Sequence, residues 1–189
     1  MEPTELLSCR DVSLGYERQS VLTHLSLTIR AGDYLCIVGD NGSGKSTLLR
    51  GLLELLPPQG GQIRRTPELE WGAVGYLPQQ TRAQRDFPAT VYEVVLSGCQ
   101  QQVLLARALC AAGRLLILDE PITGLNPAAT QDLYKSLAYL NGREGMAIVM
   151  VTHDLKAAMK SARTVLHIGR QGGWAPRTSD LPRGTSFQR

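Results

Sequence analysis

The stretch that most constrains this chain is Gly39 to Thr47, reading GDNGSGKST. It fits the pattern of a Gly, four residues, then Gly-Lys-Ser, which wraps a phosphate chain. Both flanks agree with it. Tyr34-Leu-Cys-Ile-Val38 is a short apolar run and reads as a buried strand, while Ser46 to Leu56 carries leucines at 48, 49, 52, 53, 55 and 56 and reads as a helix. A chance glycine-rich turn would not bring both flanks with it. Glycines at 39, 42 and 44 let backbone N–H groups turn inward with no Cβ in the way. The helix N-terminus adds its partial positive charge and its free N–H groups. The cradle is then Gly39, Asp40, Asn41, Gly42, Ser43, Gly44, Lys45, Ser46 and Thr47. Lys45 reaches the β- and γ-phosphates, and the Ser46 hydroxyl is placed to ligate Mg²⁺.

The chain has 189 residues, 43% of them hydrophobic, ample for one buried core and short for two. Its net charge of +3 is matched by the last twenty residues alone, where Arg170, Arg177, Arg183 and Arg189 face one acid, Asp180. The rest is balanced, and nothing suggests a nucleic-acid-binding face. Cysteines 9, 36, 99 and 110 have no paired metal spacing and read as free thiols of a reducing compartment. No signal peptide and no apolar run of eighteen residues is present, so the chain is expected neither to enter nor to span a membrane by itself.

Taken in order, Leu6–Leu14 and Val21–Ile29 read as strands joined by a turn over Gly15–Ser20. Tyr16 at that turn is either a platform for a nucleobase or a loose surface side chain. Arg30 to Asp33 is a turn into the phosphate-loop strand. Pro57-Pro-Gln-Gly-Gly61 ends the first helix, and Gln62–Arg65 and Ala73–Leu77 read as strands, with Pro78-Gln79-Gln80 closing the second. Leu115 to Leu118 is another apolar strand, ending in Asp119-Glu120-Pro121. Beside a phosphate loop, an acid at a strand's carboxyl end holds Mg²⁺, which gives Asp119 that role. Glu120 next to it is placed to accept a proton from an attacking water. Asn126-Pro127 opens a helix with Leu133, Leu137 and Leu140 on one face. Ala147–Val151 is a strand ending in Thr152-His153-Asp154, so His153 falls where α/β ligand sites gather. Thr164–Ile168 is a last strand. Beyond Gly169 the chain is rich in Gly, Pro, Arg and Ser without period, and residues 169–189 read as a disordered tail. Strands alternating with helices predict a three-layer α/β domain over residues 1–168, a P-loop NTPase sandwich with a largely parallel sheet and an N-terminal antiparallel β part.

With these residues in place, the sequence resembles the ATP-binding subunit of an ABC transporter. The phosphate loop, Gln79 after Gly-Tyr-Leu-Pro, Ile117-Leu-Asp-Glu-Pro121 and Val151-Thr-His-Asp154 are similar, in order, to that family's Walker A, Q-loop, Walker B and switch-histidine motifs. Tyr16 matches its adenine-stacking aromatic. The resemblance covers residues 5 to about 168. It implies ATP and Mg²⁺ as cofactors and hydrolysis by a head-to-tail dimer whose sites are each closed by the partner's LSGGQ signature. Gln79 would sense Mg²⁺ and a membrane permease, and His153 would contact the γ-phosphate. An importer of this kind would also work with a solute-binding protein. The implied location is cytoplasmic, on the inner face of the membrane through the permease, and Thr90 to Gly98 is similar to subunits for zinc, manganese or iron import.

Two departures stand out. Asn126 replaces the usual Asp of Gly-Leu-Asp-Pro. More important, only 17 residues separate Gln79 from Ser97, where the family carries a helical subdomain of several tens. Leu96-Ser-Gly-Cys-Gln100 resembles the signature, with Ser97, Gly98 and Gln100 in its places. Counted back from Val103 to Leu109, however, the family spacing puts the signature on Val95 to Cys99. The economical reading is an internal deletion that joins the start of the subdomain, reduced here to 80–99, to the helix after the signature. The other reading is a naturally minimal subdomain with a working variant signature. Three functions follow: an ATPase subunit driving import, a nucleotide-binding module impaired in hydrolysis, or a soluble ABC protein of DNA repair or translation. The last lacks the expected coiled-coil heptads and basic face.

Overall fold

The computed structural model describes residues 3–17, 19–69, 74–79, 108, 112–154, 162–169 and 174–177. The motif candidates Ser97, Gly98 and Gln100 and the reduced subdomain at 80–99 lie outside them. β1 (Glu5–Tyr16) and β2 (Gln19–Arg30) form a long hairpin, and β4 (Gly60–Arg65) pairs with β1 to complete a three-stranded antiparallel sheet. The second sheet has six strands in the order β5-β6-β7-β3-β8-β9. These are β3 (Tyr34–Gly39), β5 (Val74–Leu77), β6 (Leu115–Asp119), β7 (Ala147–Val151), β8 (Thr164–Ile168) and β9 (Trp174–Arg177). All its pairings are parallel except β8 with β9.

The central strands are apolar throughout because both of their faces are covered. Leu35, Ile37, Leu115, Ile117, Val149, Val151, Leu166 and Ile168 face one core, shared with Leu48, Leu49 and Leu52 and with the antiparallel sheet. Tyr34, Cys36, Val38, Leu116, Leu118, Ile148 and Met150 face the other, against Leu133 and Leu137. Helix α1 (Lys45–Leu52) covers the first face and α2 (Pro127–Arg143) the second. This is the expected three-layer arrangement. At the far end of α2, Asn141 Nδ2 donates to the carbonyls of Gly32 (3.0 Å), Asp33 (3.2 Å) and Met146 (2.9 Å), pinning the helix to the turns that feed β3 and β7.

Two element ends differ from the reading of the sequence. α1 stops at Leu52 and does not run to Leu56. Glu54 takes a left-handed conformation (φ 59°), its N–H bonds Gly51 O at 2.9 Å, and Leu55 N–H bonds Arg50 O at 2.8 Å. That is a Schellman ending, hidden in the sequence because Glu stands where Gly usually sits. The tail also departs from expectation: 174–177 is a strand, antiparallel to β8 with Ile168 opposite Trp174. Pro176 is tolerated there because an edge strand can leave one side of its backbone unpaired. The other residues after 169 lie outside the described set.

Candidate functional site

The phosphate loop leaves β3 at Gly39 and enters α1 at Lys45. A side chain at Gly39 would run into the carbonyl oxygen of Ile168 on β8. Gly44, the α1 N-cap at φ 107°, packs against Val21 and Leu22 of β2, and no side chain among the described residues caps the helix. The first-turn N–H groups are thus left for a ligand. Lys45 is buried, and its Nζ donates to the carbonyls of Gly39 and Asp40, each at 2.8 Å. Ser43 and Thr47 are buried, and Ser43 Oγ has no hydrogen-bond partner among the described residues. Asp40, Asn41, Gly42 and Ser46 face solvent.

Three parallel strand ends meet this loop. Asp119 closes β6 and is buried; burial, then the neighbouring Glu120, raises its carboxyl above the usual range, while Lys45 and Arg50 pull it down. Glu120 sits at φ 47°, a left-handed conformation uncommon outside Gly, and its N–H bonds Val151 O at 3.0 Å. Its carboxylate is gripped from two sides. Oε2 accepts from Gln79 Nε2, just beyond β5, at 2.9 Å and from Thr123 Oγ1 at 3.4 Å. His153 Nδ1, just beyond β7, lies 3.9 Å from Oε1. A carboxylate so oriented beside a phosphate cradle suits proton abstraction from water. The oxygen set of Ser46, Asp119 and Gln79 suits a hard cation such as Mg²⁺, and a cation there would offset the two effects that disfavour ionised Asp119.

Tyr16, at the end of β1, is 42% exposed and accepts a hydrogen bond from Arg50 Nη1 at 2.8 Å. Asn126, the departure from Asp, caps α2 by accepting from Ala129 N–H at 2.8 Å, with Pro127 at the first helical position. Three residues near the site had no motif to announce them. Thr123 holds Glu120. Arg50 holds Tyr16. His167, paired with Val38 in β8, lines a cavity of about 350 Å³ with Val38, Gly39, Asp40, Asn41 and His153. Only the sheet order brings His167 there.

Residues 22–94 match the family model for ABC transporters. The zinc import ATP-binding protein ZnuC of Pseudomonas fluorescens strain Pf0-1 is 31% identical over 196 positions, covering 87% of this chain and 74% of that protein. ZnuC 2 of Aliivibrio fischeri is 34% identical over 197 positions, covering 88% and 80%. In the first alignment 87% of 189 residues is about 164, so at least about 32 of the 196 positions fall opposite gaps in this chain. Among solved structures, an ATP-binding subunit of an ABC transporter superposes with a TM-score of 0.75 at 25% identity, over 92% of this chain and 90% of that one. A dimeric post-hydrolysis ATP-binding cassette bound to ADP and Pi shares the fold, with a TM-score of 0.73 at 21% identity over 92% and 98%. No helix among the described residues is long and apolar enough to cross a membrane. With its phosphate loop, its paired strand-end acids and these relatives, the chain belongs to the ATP-binding, ATP-hydrolysing subunits of ABC transporters.

Proposed function

We infer that this subunit binds Mg-ATP on residues 39–47 with the adenine on Tyr16, and that Glu120 is the general base. Ser46, Asp119 and Gln79 would hold Mg²⁺, whose contribution is to neutralise charge on the β- and γ-phosphates. Lys45 exchanges its loop carbonyls for those phosphates. Gln79 releases the Glu120 carboxylate as it turns to the nucleotide, and His153 contacts the γ-phosphate. The observation that carries this reading is the meeting of Gln79 and His153, from beyond two other strands, with the neighbouring Thr123 at one carboxylate.

The partner we propose is a membrane permease, which would place the subunit on the cytoplasmic face of the membrane. The cargo we propose is a metal ion, zinc first, because the relatives at 31% and 34% identity are named zinc import ATP-binding proteins. The missing positions fit an internal deletion, which we place between Gln79 and Val103. The family match, which stops at 94, supports it too. Under that reading Leu96–Gln100 is a look-alike signature. One residue of slip turns a helix by roughly 100°, which would aim Ser97 and Gly98 away from a partner's nucleotide. The chain then binds ATP without a stable head-to-tail dimer, and its turnover is weak and not stimulated by a permease. Size exclusion of Glu120→Gln with ATP tests this, because blocked hydrolysis traps any dimer that can form. A monomer peak is expected. A clean dimer would make Leu96–Gln100 a working signature and refute the deletion.

A further inference from the structure

Arg50 belongs to none of the motifs above, yet it touches the site at two ends. It lies five residues beyond Lys45, in the last turn of α1, with its side chain exposed. Its Nη1 donates to the Tyr16 hydroxyl at 2.8 Å, and its guanidinium carbon lies 6.0 Å from the ring centre. That distance is the outer limit of cation–π attraction, so the hydrogen bond is the stronger tie. The bond joins residues 34 apart in sequence, one at the tip of the antiparallel hairpin and one on the helix that carries the phosphate loop. The same positive charge acts on Asp119 and Tyr76, opposing the burial that raises both.

A tyrosine at the mouth of a hairpin turn, 42% exposed, would sample several rotamers if nothing held it. A ring that stacks on a base has to occupy one of them, and ordering it on binding weakens affinity. Arg50 removes that freedom before the nucleotide arrives. Its hold is on the hydroxyl, at the far end of the ring from the backbone, where a tether restricts swing most. The grip also fixes the distance between the base platform and the phosphate loop, because α1 begins in the loop.

We propose that Arg50 is a positioning residue for the nucleotide base: it clamps the Tyr16 ring against α1 so that base and triphosphate are met in one preset geometry. This rests on the reading of Tyr16 as the base platform. It separates Arg50 from a general phosphate-attracting charge, since the clamp serves only ligands that carry a base.

The test is calorimetric binding to the full-length chain in EDTA, so that no turnover intrudes, with ATP and inorganic tripolyphosphate as probes. Arg50→Met keeps the stem and removes the guanidinium; Tyr16→Phe keeps a stacking ring and removes the hydroxyl. Each is expected to raise the Kd for ATP about three- to tenfold, the scale of freeing one ordered side chain. The double variant should be no weaker than the worse single; tripolyphosphate affinity should stay unchanged in Tyr16→Phe and should fall less than ATP affinity in Arg50→Met. Both positions are exposed, and matching circular dichroism spectra will show that the variants fold. Equal losses for ATP and tripolyphosphate in Arg50→Met would overturn the clamp in favour of simple charge attraction. Unchanged ATP affinity in both singles, or additive losses in the double, would overturn it as well. If Tyr16→Ala binds ATP as tightly as the intact chain, the platform reading falls and the clamp with it. If the intact chain binds neither probe, the nucleotide site itself is misread.

Discussion

Lys45→Ala separates two contributions of one side chain, each with a size that the structure supplies. Without nucleotide, the buried Nζ makes two hydrogen bonds of 2.8 Å to Gly39 and Asp40 carbonyls. At about 1 kcal/mol net for each, their loss lowers stability by about 2 kcal/mol. For a chain of this size 1 kcal/mol moves the melting temperature by about 2–4 °C, so the nucleotide-free variant should melt roughly 4–8 °C lower. With nucleotide, a ligand at a hundredfold excess over its Kd adds about 2.7 kcal/mol to the intact chain, or roughly 5–11 °C. Lys45→Ala removes the charge that meets the β- and γ-phosphates, so most of this second shift should vanish. Thermal melts across a Mg-ATP titration read both effects at once. An intact chain whose melting temperature ignores Mg-ATP would refute the nucleotide site. A variant stabilised by ATP as much as the intact chain would refute the role given to Lys45.

Three further outcomes are expected. Glu120→Gln should keep ATP affinity and lose about 10²–10⁴-fold of turnover, the usual scale of general-base catalysis; steady-state phosphate release measures it, and equal turnover would assign the base elsewhere. Asp119→Asn should melt higher than the intact chain at neutral pH. Burial and Glu120 raise the Asp119 pKa, so the folded chain holds this proton more tightly than the unfolded one. The ionised group therefore destabilises the fold as pH climbs above the ordinary carboxylate range, and the gap between the two melting curves should close as pH falls toward about 4. The same variant should lose the Mg²⁺ dependence of ATP binding, seen by calorimetry with and without the ion. Asn141→Ala takes the side-chain donor from the carbonyls of Gly32, Asp33 and Met146 and should lower stability by about 2 kcal/mol with ATP affinity unchanged, read by urea unfolding beside calorimetry.

What the sequence disclosed follows from how local each cause is. The phosphate loop, β7 and β8 are legible because glycine spacing and runs of apolar residues are themselves the physical cause of those elements. The start of α2 is legible because Asn126-Pro127 is both a chemical cap and a sequence sign. The end of α1 is not, because Glu54 adopts the left-handed conformation without being glycine, held there by bonds to Gly51 and Arg50 carbonyls. β9 was hidden because its partner is β8 and its own composition reads as tail. At the site, Glu120, Gln79 and His153 are each announced by motif, but their meeting is a product of sheet order. Nothing in the sequence joins Arg50 to Tyr16 or His167 to Val38, since those contacts exist only once separate segments pack.

One consequence concerns how such a chain can be rebuilt. Each described side chain placed at the nucleotide site comes from Gln79 or before it, or from Asp119 or after it. The segment from 80 to 111 enters just after Gln79 and rejoins ahead of β6. Ala108, the described residue within it, is buried against Gly75 of β5, so an exchange of chain between Gln79 and Ala108 that keeps this contact should leave the described strand ends in register. A graft from another family member would be translated between the cradle with Gln79 on one side and the acid-bearing strand β6 on the other.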